Sequence, residues 1–162
     1  MEDDIDLLHW EDFEPGQTCE LGSHEFTLDE MLEFAERYDP QVFHVDEEGA
    51  RGHPFGGIIA SGCLTFAVGQ RLLVDGLLGR AASQGSPGID EMRFLAPVRP
   101  RDVLRGRLEV SETRESSRRP ARGTITIVYT LINQREETVL SMRARVMLKR
   151  REPASRPVDT DV

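Results

Sequence analysis

The feature that most constrains the fold is a stretch of the chain that carries no charge. No charged residue occurs between Phe55 and Gln70, and the apolar residues there face every direction of a helical wheel. A helix that is apolar on all sides is typical of a protein core. Ser61 is a good N-terminal cap for this helix, so Gly62 is expected at the first helical position, with a backbone N–H that has no partner within the helix.

Alternation of apolar and polar residues follows this helix. Three segments show it, over residues 103–110, 124–131 and 140–149. Each has one apolar face, which is typical of long antiparallel strands that cover a core on one side. Turns are predicted at 115–121 and 134–137, and an earlier strand is predicted over 17–26. The result is an α+β arrangement, in which a curved antiparallel sheet wraps a long central helix.

The chain is predicted to form one domain over residues 1–150. A length of 162 residues is enough for a single core but not for two substantial ones. The acidic arm of residues 1–9 is expected to fray. Residues 151–162 are dominated by Pro, Asp, Ser and Thr, so this tail is expected to be disordered.

Charge and cysteine usage restrict the partners and the compartment. The formal net charge is −9, and no run of consecutive basic residues is longer than the three at 149–151, which argues against a nucleic-acid partner held by its phosphates. The chain begins with acidic residues where a signal peptide is basic, and no apolar stretch reaches the ~18 residues of a membrane span. The only cysteines are Cys19 and Cys63. We therefore expect a cytoplasmic protein without a membrane partner.

A second helix is predicted earlier in the chain, over residues 28–38. Thr27 and Glu30 have the spacing of a capping box, and apolar residues follow at helical intervals. Pro40 disfavours the helical conformation for Asp39, so the helix should stop just before Asp39. This places the Asp39 carboxylate on irregular backbone immediately beyond a helix end.

Three segments resemble the signature of MaoC-like (R)-specific enoyl-CoA hydratases and dehydratases. They are Asp39-Pro40-Gln41-Val42-Phe43-His44-Val45-Asp46, Phe55-Gly56-Gly57-Ile58-Ile59-Ala60-Ser61-Gly62 and Phe94-Leu95-Ala96-Pro97-Val98-Arg99-Pro100-Arg101-Asp102. The family pattern has a His five residues after an Asp, then a Phe-Gly stretch that opens the helix, and later a Phe-x-x-Pro-Val strand and turn. The segments occur in the family's order, and the resemblance covers roughly residues 10 to 150.

The resemblance implies a hot-dog fold, a homodimer or a higher even-numbered homo-oligomer, and an acyl-CoA thioester as substrate. By matching position, Asp39 and His44 would be the catalytic pair, and the Gly62 N–H would bind the thioester carbonyl. Neighbouring positions expected to contact the substrate are Phe55, Gly57, Ile59, Ala60, Ser61 and Gln70. No cofactor is expected. A metal site is not expected either, because no Cys or second His lies at ligand spacing from His44 or His53.

These groups suit the hydration of an α,β-unsaturated thioester. That reaction needs a base for water, an acid for the α-carbon, and a donor for the charge that builds on the thioester oxygen. Asp39 and His44 can share the first two tasks, and the Gly62 N–H at a helix start can perform the third. In the reverse direction the same groups would dehydrate a 3-hydroxyacyl thioester.

Two other functions remain open at this point. A hot-dog thioesterase commonly has a carboxylate on or beside the central helix, and no carboxylate occurs between Ile58 and Val74. A catalytically degenerate protein that binds acyl-CoA is suggested by Gln70, which stands where characterised hydratases carry a Ser. Two other positions depart from the family pattern. Val42 stands where the family usually has Pro, and Arg101 stands where its turn usually has Gly. Arg93, Arg99 and Arg101 are candidates to contact a CoA phosphate.

Overall fold

The computed structural model describes residues 7–152, and these contain one five-stranded antiparallel sheet. The strands are β1 (Thr18–Glu25), β2 (Gly88–Phe94), β3 (Val103–Glu115), β4 (Arg122–Ile132) and β5 (Thr138–Lys149), in the order β1-β3-β4-β5-β2. The helices are α1 (Leu28–Tyr38), α2 (Val42–Val45), α3 (Glu47–Arg51) and α4 (Gly62–Gly76). The α+β class predicted from the sequence is confirmed.

Both ends of the described chain are attached to the body of the protein. Leu8 pairs with Ala81 in an isolated bridge, and the Arg151 guanidinium forms an ion pair with Asp12 at 2.7 Å. Residues 1–6 and 153–162 hold most of the arm and tail predicted to fray or be disordered. They lie outside the described residues.

The core lies between α4 and one face of the sheet. Leu64, Val68 and Leu72 recur at intervals of four along α4 and are buried against strand residues that are at most 1% exposed, such as Leu104 and Leu108. The prediction that this helix is buried on every side is wrong for the single chain. The sheet covers one side only, and the other side exposes Cys63, Ala67, Arg71 and Val74.

The sheet contains one strand more than the alternation predicted. The three predicted strands are confirmed as β3, β4 and β5, and the earlier one as β1. β2 is the addition, and all seven of its residues are exposed in the single chain. A strand without a buried face has no alternating pattern to detect. β2 lies at the end of the sheet and pairs with β5 only.

Side-chain caps begin α1 and α3, two of the helices that precede α4. α1 begins and ends as predicted, and Thr27 Oγ1 accepts a hydrogen bond from the Glu30 N–H at 3.2 Å. The Glu30 carboxylate contacts His24 instead of the Thr27 backbone, so only half of the capping box forms. The Asp46 side chain caps α3.

No helix within the described residues is both long and apolar enough to span a bilayer.

Candidate active site

Asp39 and His44 lie side by side on adjoining elements. Asp39 caps the C-terminal end of α1, and His44 lies in α2. The His44 N–H donates to the carbonyl oxygen of Gln41, and the Gln41 N–H donates to that of Asp39, both at 2.8 Å. This tight turn brings Oδ2 of Asp39 to 3.4 Å from Nε2 of His44. The two residues singled out in the sequence are therefore neighbours in space.

The backbone of Ile59 determines the tautomer of His44. Nδ1 of His44 lies 2.8 Å from the carbonyl oxygen of Ile59. A carbonyl oxygen can only accept, so Nδ1 carries the proton, and Nε2 of the neutral ring presents a lone pair toward Asp39. The imidazole is 5% exposed and the Asp39 side chain 24%. When the ring carries this single proton, Oδ2 of Asp39 and Nε2 of His44 are two acceptors that face each other at the edge of the protein interior, and one water could donate a hydrogen to each.

Two donors hold the Asp39 carboxylate. The Ser61 hydroxyl donates to Oδ2 at 2.7 Å, and the Gln41 side-chain amide donates to Oδ1 at 2.8 Å. These two bonds, first that from Ser61, lower the pKa of Asp39 below its usual value, although partial burial opposes the shift. Asp39 is therefore a carboxylate at neutral pH.

The N-terminus of α4 forms the other side of the site. Ser61 caps the helix, and its Oγ accepts a hydrogen bond from the Cys63 N–H at 3.2 Å. Gly62 occupies the first helical position, and none of the described residues accepts a hydrogen bond from its N–H. Such a group is available to an oxygen of a ligand and lies at the positive end of the helix dipole.

An apolar cavity of about 600 Å³ joins the two sides. Asp39, His44 and Gly62 all line it. Its walls are largely aromatic and aliphatic, and they include Phe43, Phe66, Met92, Phe94 and Leu95. The cavity therefore combines a few convergent polar groups with an apolar wall, as small-molecule sites commonly do. No group of three or more metal-binding side chains occurs within the described residues.

Comparison with known proteins identifies the family. The family model for the MaoC like domain matches residues 12–131. This chain belongs to the MaoC-like family. Among relatives of this MaoC-like protein, the uncharacterized protein YdeM of Bacillus subtilis is 34% identical over 141 residues, covering 86% of this chain and 98% of YdeM. A 3-hydroxybutyryl-CoA dehydratase of Methylorubrum extorquens is 32% identical over 154 residues, which cover 93% of this chain and 90% of the enzyme.

Solved structures confirm the predicted hot-dog fold. The MaoC-like dehydratase from Rhodospirillum rubrum superposes with a TM-score of 0.85 at 36% identity, covering 90% of this chain and 99% of that structure. The R-hydratase PhaJ1 from Pseudomonas aeruginosa shares the fold, with a TM-score of 0.70 at 24% identity over 96% and 97% of the two chains. Membership of the MaoC-like family supports hydratase or dehydratase chemistry on acyl thioesters in general.

The MaoC-like site contains some of the other residues expected to contact the substrate, but not all. Phe55, Ile59 and Ala60 line the cavity. Ser61 does not line it and contacts Asp39 instead. Gln70 lies about two turns along α4 from Gly62 and is not among the lining residues. Gly57 is also outside the lining, and its φ of +148° is a backbone conformation that favours glycine.

Gln41 and Phe94 are among the lining residues that were not singled out from the sequence. Gln41 lies in the Asp-Pro-Gln segment, two residues after Asp39, so its proximity could have suggested a contact. Phe94 opens the third motif segment, but it belongs to β2, and no local pattern relates that strand to α4. The contact between these elements is set by the sheet order.

One arginine considered for a CoA phosphate has a role at the rim of the MaoC-like cavity. The Arg99 side chain donates to the carbonyl oxygen of Phe55 at 2.5 Å, and the Arg99 N–H donates to the Asp102 carboxylate at 2.9 Å. Phe55 in turn stacks on His53, with ring centroids 5.0 Å apart. Arg99 therefore ties the loop after β2 to the loop before α4.

Proposed function

We propose that this MaoC-like protein is a hydro-lyase that reversibly hydrates a trans-2-enoyl-CoA to an (R)-3-hydroxyacyl-CoA. The observation that carries the proposal is the convergence of Asp39 Oδ2 and His44 Nε2, 3.4 Å apart, on a cavity that the start of α4 also lines. A proton-transfer pair and a free backbone donor are what the addition of water to a conjugated thioester requires.

In the proposed reaction, one water bridges Asp39 and His44. Its oxygen adds to C3 of the enoyl group, and its proton passes to the lone pair on Nε2 of His44. The imidazolium that results is stabilised by the adjacent Asp39 carboxylate and returns the proton to C2. The product carries the hydroxyl on C3 and the added hydrogen on C2, so one water is consumed. Dehydration follows the same steps in reverse.

The start of α4 would stabilise the intermediate. As water adds, negative charge builds on the thioester oxygen, and the Gly62 N–H is the available donor for it. Removal of one preorganised donor of this kind typically costs about 10²–10³ in rate. The apolar walls of the cavity would keep bulk water away, which strengthens this interaction.

The decisive experiment follows the absorbance of crotonyl-CoA with purified protein. We expect Asp39→Asn and His44→Gln each to lower the rate by about 10²–10⁴-fold. Asp46→Asn and His53→Gln are matched controls, because they make the same substitutions without touching the pair, and both should retain activity. Wild-type rates in both Asp39→Asn and His44→Gln would contradict the proposal.

Separate measurements of thiol release and of acyl-CoA binding distinguish the alternatives. Release of free thiol from an acyl-CoA would identify a thioesterase, and tight binding of acyl-CoA esters without turnover would identify a degenerate binding protein. Chromatography of the product on a chiral phase should give the (R) alcohol. Formation of the (S) alcohol would contradict the proposed stereochemistry.

A homodimer is part of the proposal. β2 pairs on one side only and exposes Ile89 (41%) and Met92 (39%), with Leu95 (56%) just beyond it. An edge strand with exposed apolar residues is a ready surface for pairing with another chain. A second copy of the chain that paired along β2 would cover these exposed apolar residues. We expect a dimer or a higher even-numbered oligomer by light scattering, and a shift to monomer in Ile89→Lys. A monomeric wild-type protein would contradict this.

A cytoplasmic location is also proposed. Cys19 and Cys63 are both free thiols, which is usual in a reducing compartment. Fractionation of cells that express a tagged copy tests this. Recovery of the protein from the membrane or extracellular fraction would contradict the proposal.

A further inference from the structure

The Ser61 hydroxyl makes two hydrogen bonds that join two parts of the site. Its oxygen accepts from the Cys63 N–H at 3.2 Å and thereby caps α4. Its hydrogen is donated to Asp39 Oδ2 at 2.7 Å. Ser61 is fully buried, with an exposed fraction of 0%. Bulk water therefore cannot take over either bond if the hydroxyl is removed.

The oxygen that Ser61 contacts is the one closest to the histidine. Oδ2 of Asp39 lies 3.4 Å from Nε2 of His44. The backbone of Asp39 is outside the helical region, with φ −152° and ψ 64°, so α1 does not itself orient this carboxylate. Within residues 7–152, the other donor to the carboxylate is the Gln41 side chain, which is longer and exposed. The short, buried serine is the more rigid restraint.

We propose that Ser61 is a positioning residue, whose hydroxyl fixes the Asp39 carboxylate against both His44 and the start of α4. The inference rests on the proposed hydration reaction. Ser61 immediately precedes Gly62, so the bond to Asp39 sets the distance between the proton-transfer pair and the N–H that would bind the thioester oxygen. The two sides of the site are thereby held as one unit.

Removal of the hydroxyl should change the chemistry more than substrate binding. In Ser61→Ala the carboxylate loses its strongest donor, and kcat should fall by about 10–10²-fold while KM changes little. The pKa of Asp39 should rise toward its usual value, because the Ser61 bond is the first cause of its lowering. The acid limb of the pH profile of kcat/KM should therefore move to higher pH.

Two further variants keep the test decisive. Ser61→Thr retains a hydroxyl and should restore most of kcat. Ser61→Gly removes the hydroxyl at little cost to helix capping, so it should show the same loss of kcat even if Ser61→Ala folds poorly. The matched control is Thr27→Ala, which removes the hydroxyl cap of α1 and should lower Tm by about 2–4 °C with kcat unchanged.

The outcomes distinguish this inference from the proposed function. If Ser61→Ala and Ser61→Gly both keep wild-type kcat and the wild-type acid limb, Ser61 is only a helix cap and the inference is overturned. The proposed function then still stands on the activity of the wild type. If the wild type has no hydratase activity, titration of the Asp39 carboxyl by NMR still tests the bond. An Asp39 pKa that is unchanged in Ser61→Ala would overturn the inference.

Discussion

The ring of Phe94 lies directly against the α-carbon of Gly62. A β-carbon added to Gly62 would lie 2.8 Å from Cζ of that ring, which is closer than real β-carbons approach other atoms. Phe94 ends β2 and Gly62 begins α4, so this contact joins two elements that both line the cavity. Glycine at this position leaves room for the ring and, in the proposed reaction, for the thioester carbonyl.

Gly62→Ala is therefore expected to displace Phe94 and to lower kcat/KM for crotonyl-CoA by about 10²-fold, because the added methyl group blocks the approach to the N–H. Steady-state kinetics and thermal unfolding check this. The control is Gly52→Ala, where the nearest atom to the added carbon is 3.8 Å away. Equal activity in Gly62→Ala and the wild type would exclude a role for this N–H. The double variant Gly62→Ala/Phe94→Ala should regain stability that the clash removes.

Arg101 adopts a backbone conformation that favours glycine. Its φ is +71°, at the position where the family's turn usually has Gly. A left-handed conformation costs a non-glycine residue about 1–2 kcal/mol, and the greater freedom of glycine in the unfolded chain offsets part of the gain. Arg101→Gly should therefore raise the free energy of unfolding by about 0.5–1 kcal/mol in urea titrations. The control is Arg107→Gly, inside β3, which should instead lower the free energy of unfolding by about 0.5–1 kcal/mol. A lower free energy of unfolding in both variants would show that Arg101 is not strained.

The Tyr129 hydroxyl has no hydrogen-bond partner among the described residues, although the side chain is 1% exposed. Burial raises its pKa, so the phenol remains neutral. An unpaired buried hydroxyl is destabilising, and Tyr129→Phe should raise the free energy of unfolding by about 0.5–1 kcal/mol. Tyr38→Phe, at a residue that is 62% exposed, should have almost no effect. A clear loss in Tyr129→Phe would indicate a buried water bound to the hydroxyl.

Asp102 should make stability depend on pH. Burial alone would raise its pKa, but hydrogen bonds from Arg135, the Arg99 N–H and Gln134 outweigh burial and hold the pKa below 3.8. The pKa of Asp102 is lower in the folded protein than in the unfolded chain. The ionised carboxylate therefore stabilises the fold above about pH 3.8, the ordinary pKa of an Asp side chain, and this stabilisation is lost as the pH falls toward the lowered pKa. Asp102→Asn should cost about 2 kcal/mol at pH 7.

The loss of stability caused by Asp102→Asn should shrink below about pH 4, because the wild type then loses the same charge. Unfolding in urea at a series of pH values measures this loss. The control is Asp75→Asn, which removes the exposed Arg71 pair and should cost less than about 0.5 kcal/mol at every pH. A cost for Asp102→Asn that is constant down to pH 3 would contradict the prediction.

Most of the secondary structure could be predicted because it depends on residues close together in the sequence. The end of α1 before Asp39 follows from Pro40, and the start of α4 at Gly62 follows from the Ser61 cap. β2 could not be predicted in this way. Its residues are exposed on both faces of the single chain, so its pattern resembles that of a polar loop.

Within the candidate site, the sequence alone determined the residue types, their order along the chain and the elements that carry them. The tertiary structure decided which groups meet. Ser61 contacts Asp39 across 22 positions of sequence, the Ile59 carbonyl selects the His44 tautomer, and Gln70 does not line the cavity. Caps and periodicity act over a few residues. These longer contacts depend instead on how α4 packs against the sheet and on the loops that join the two.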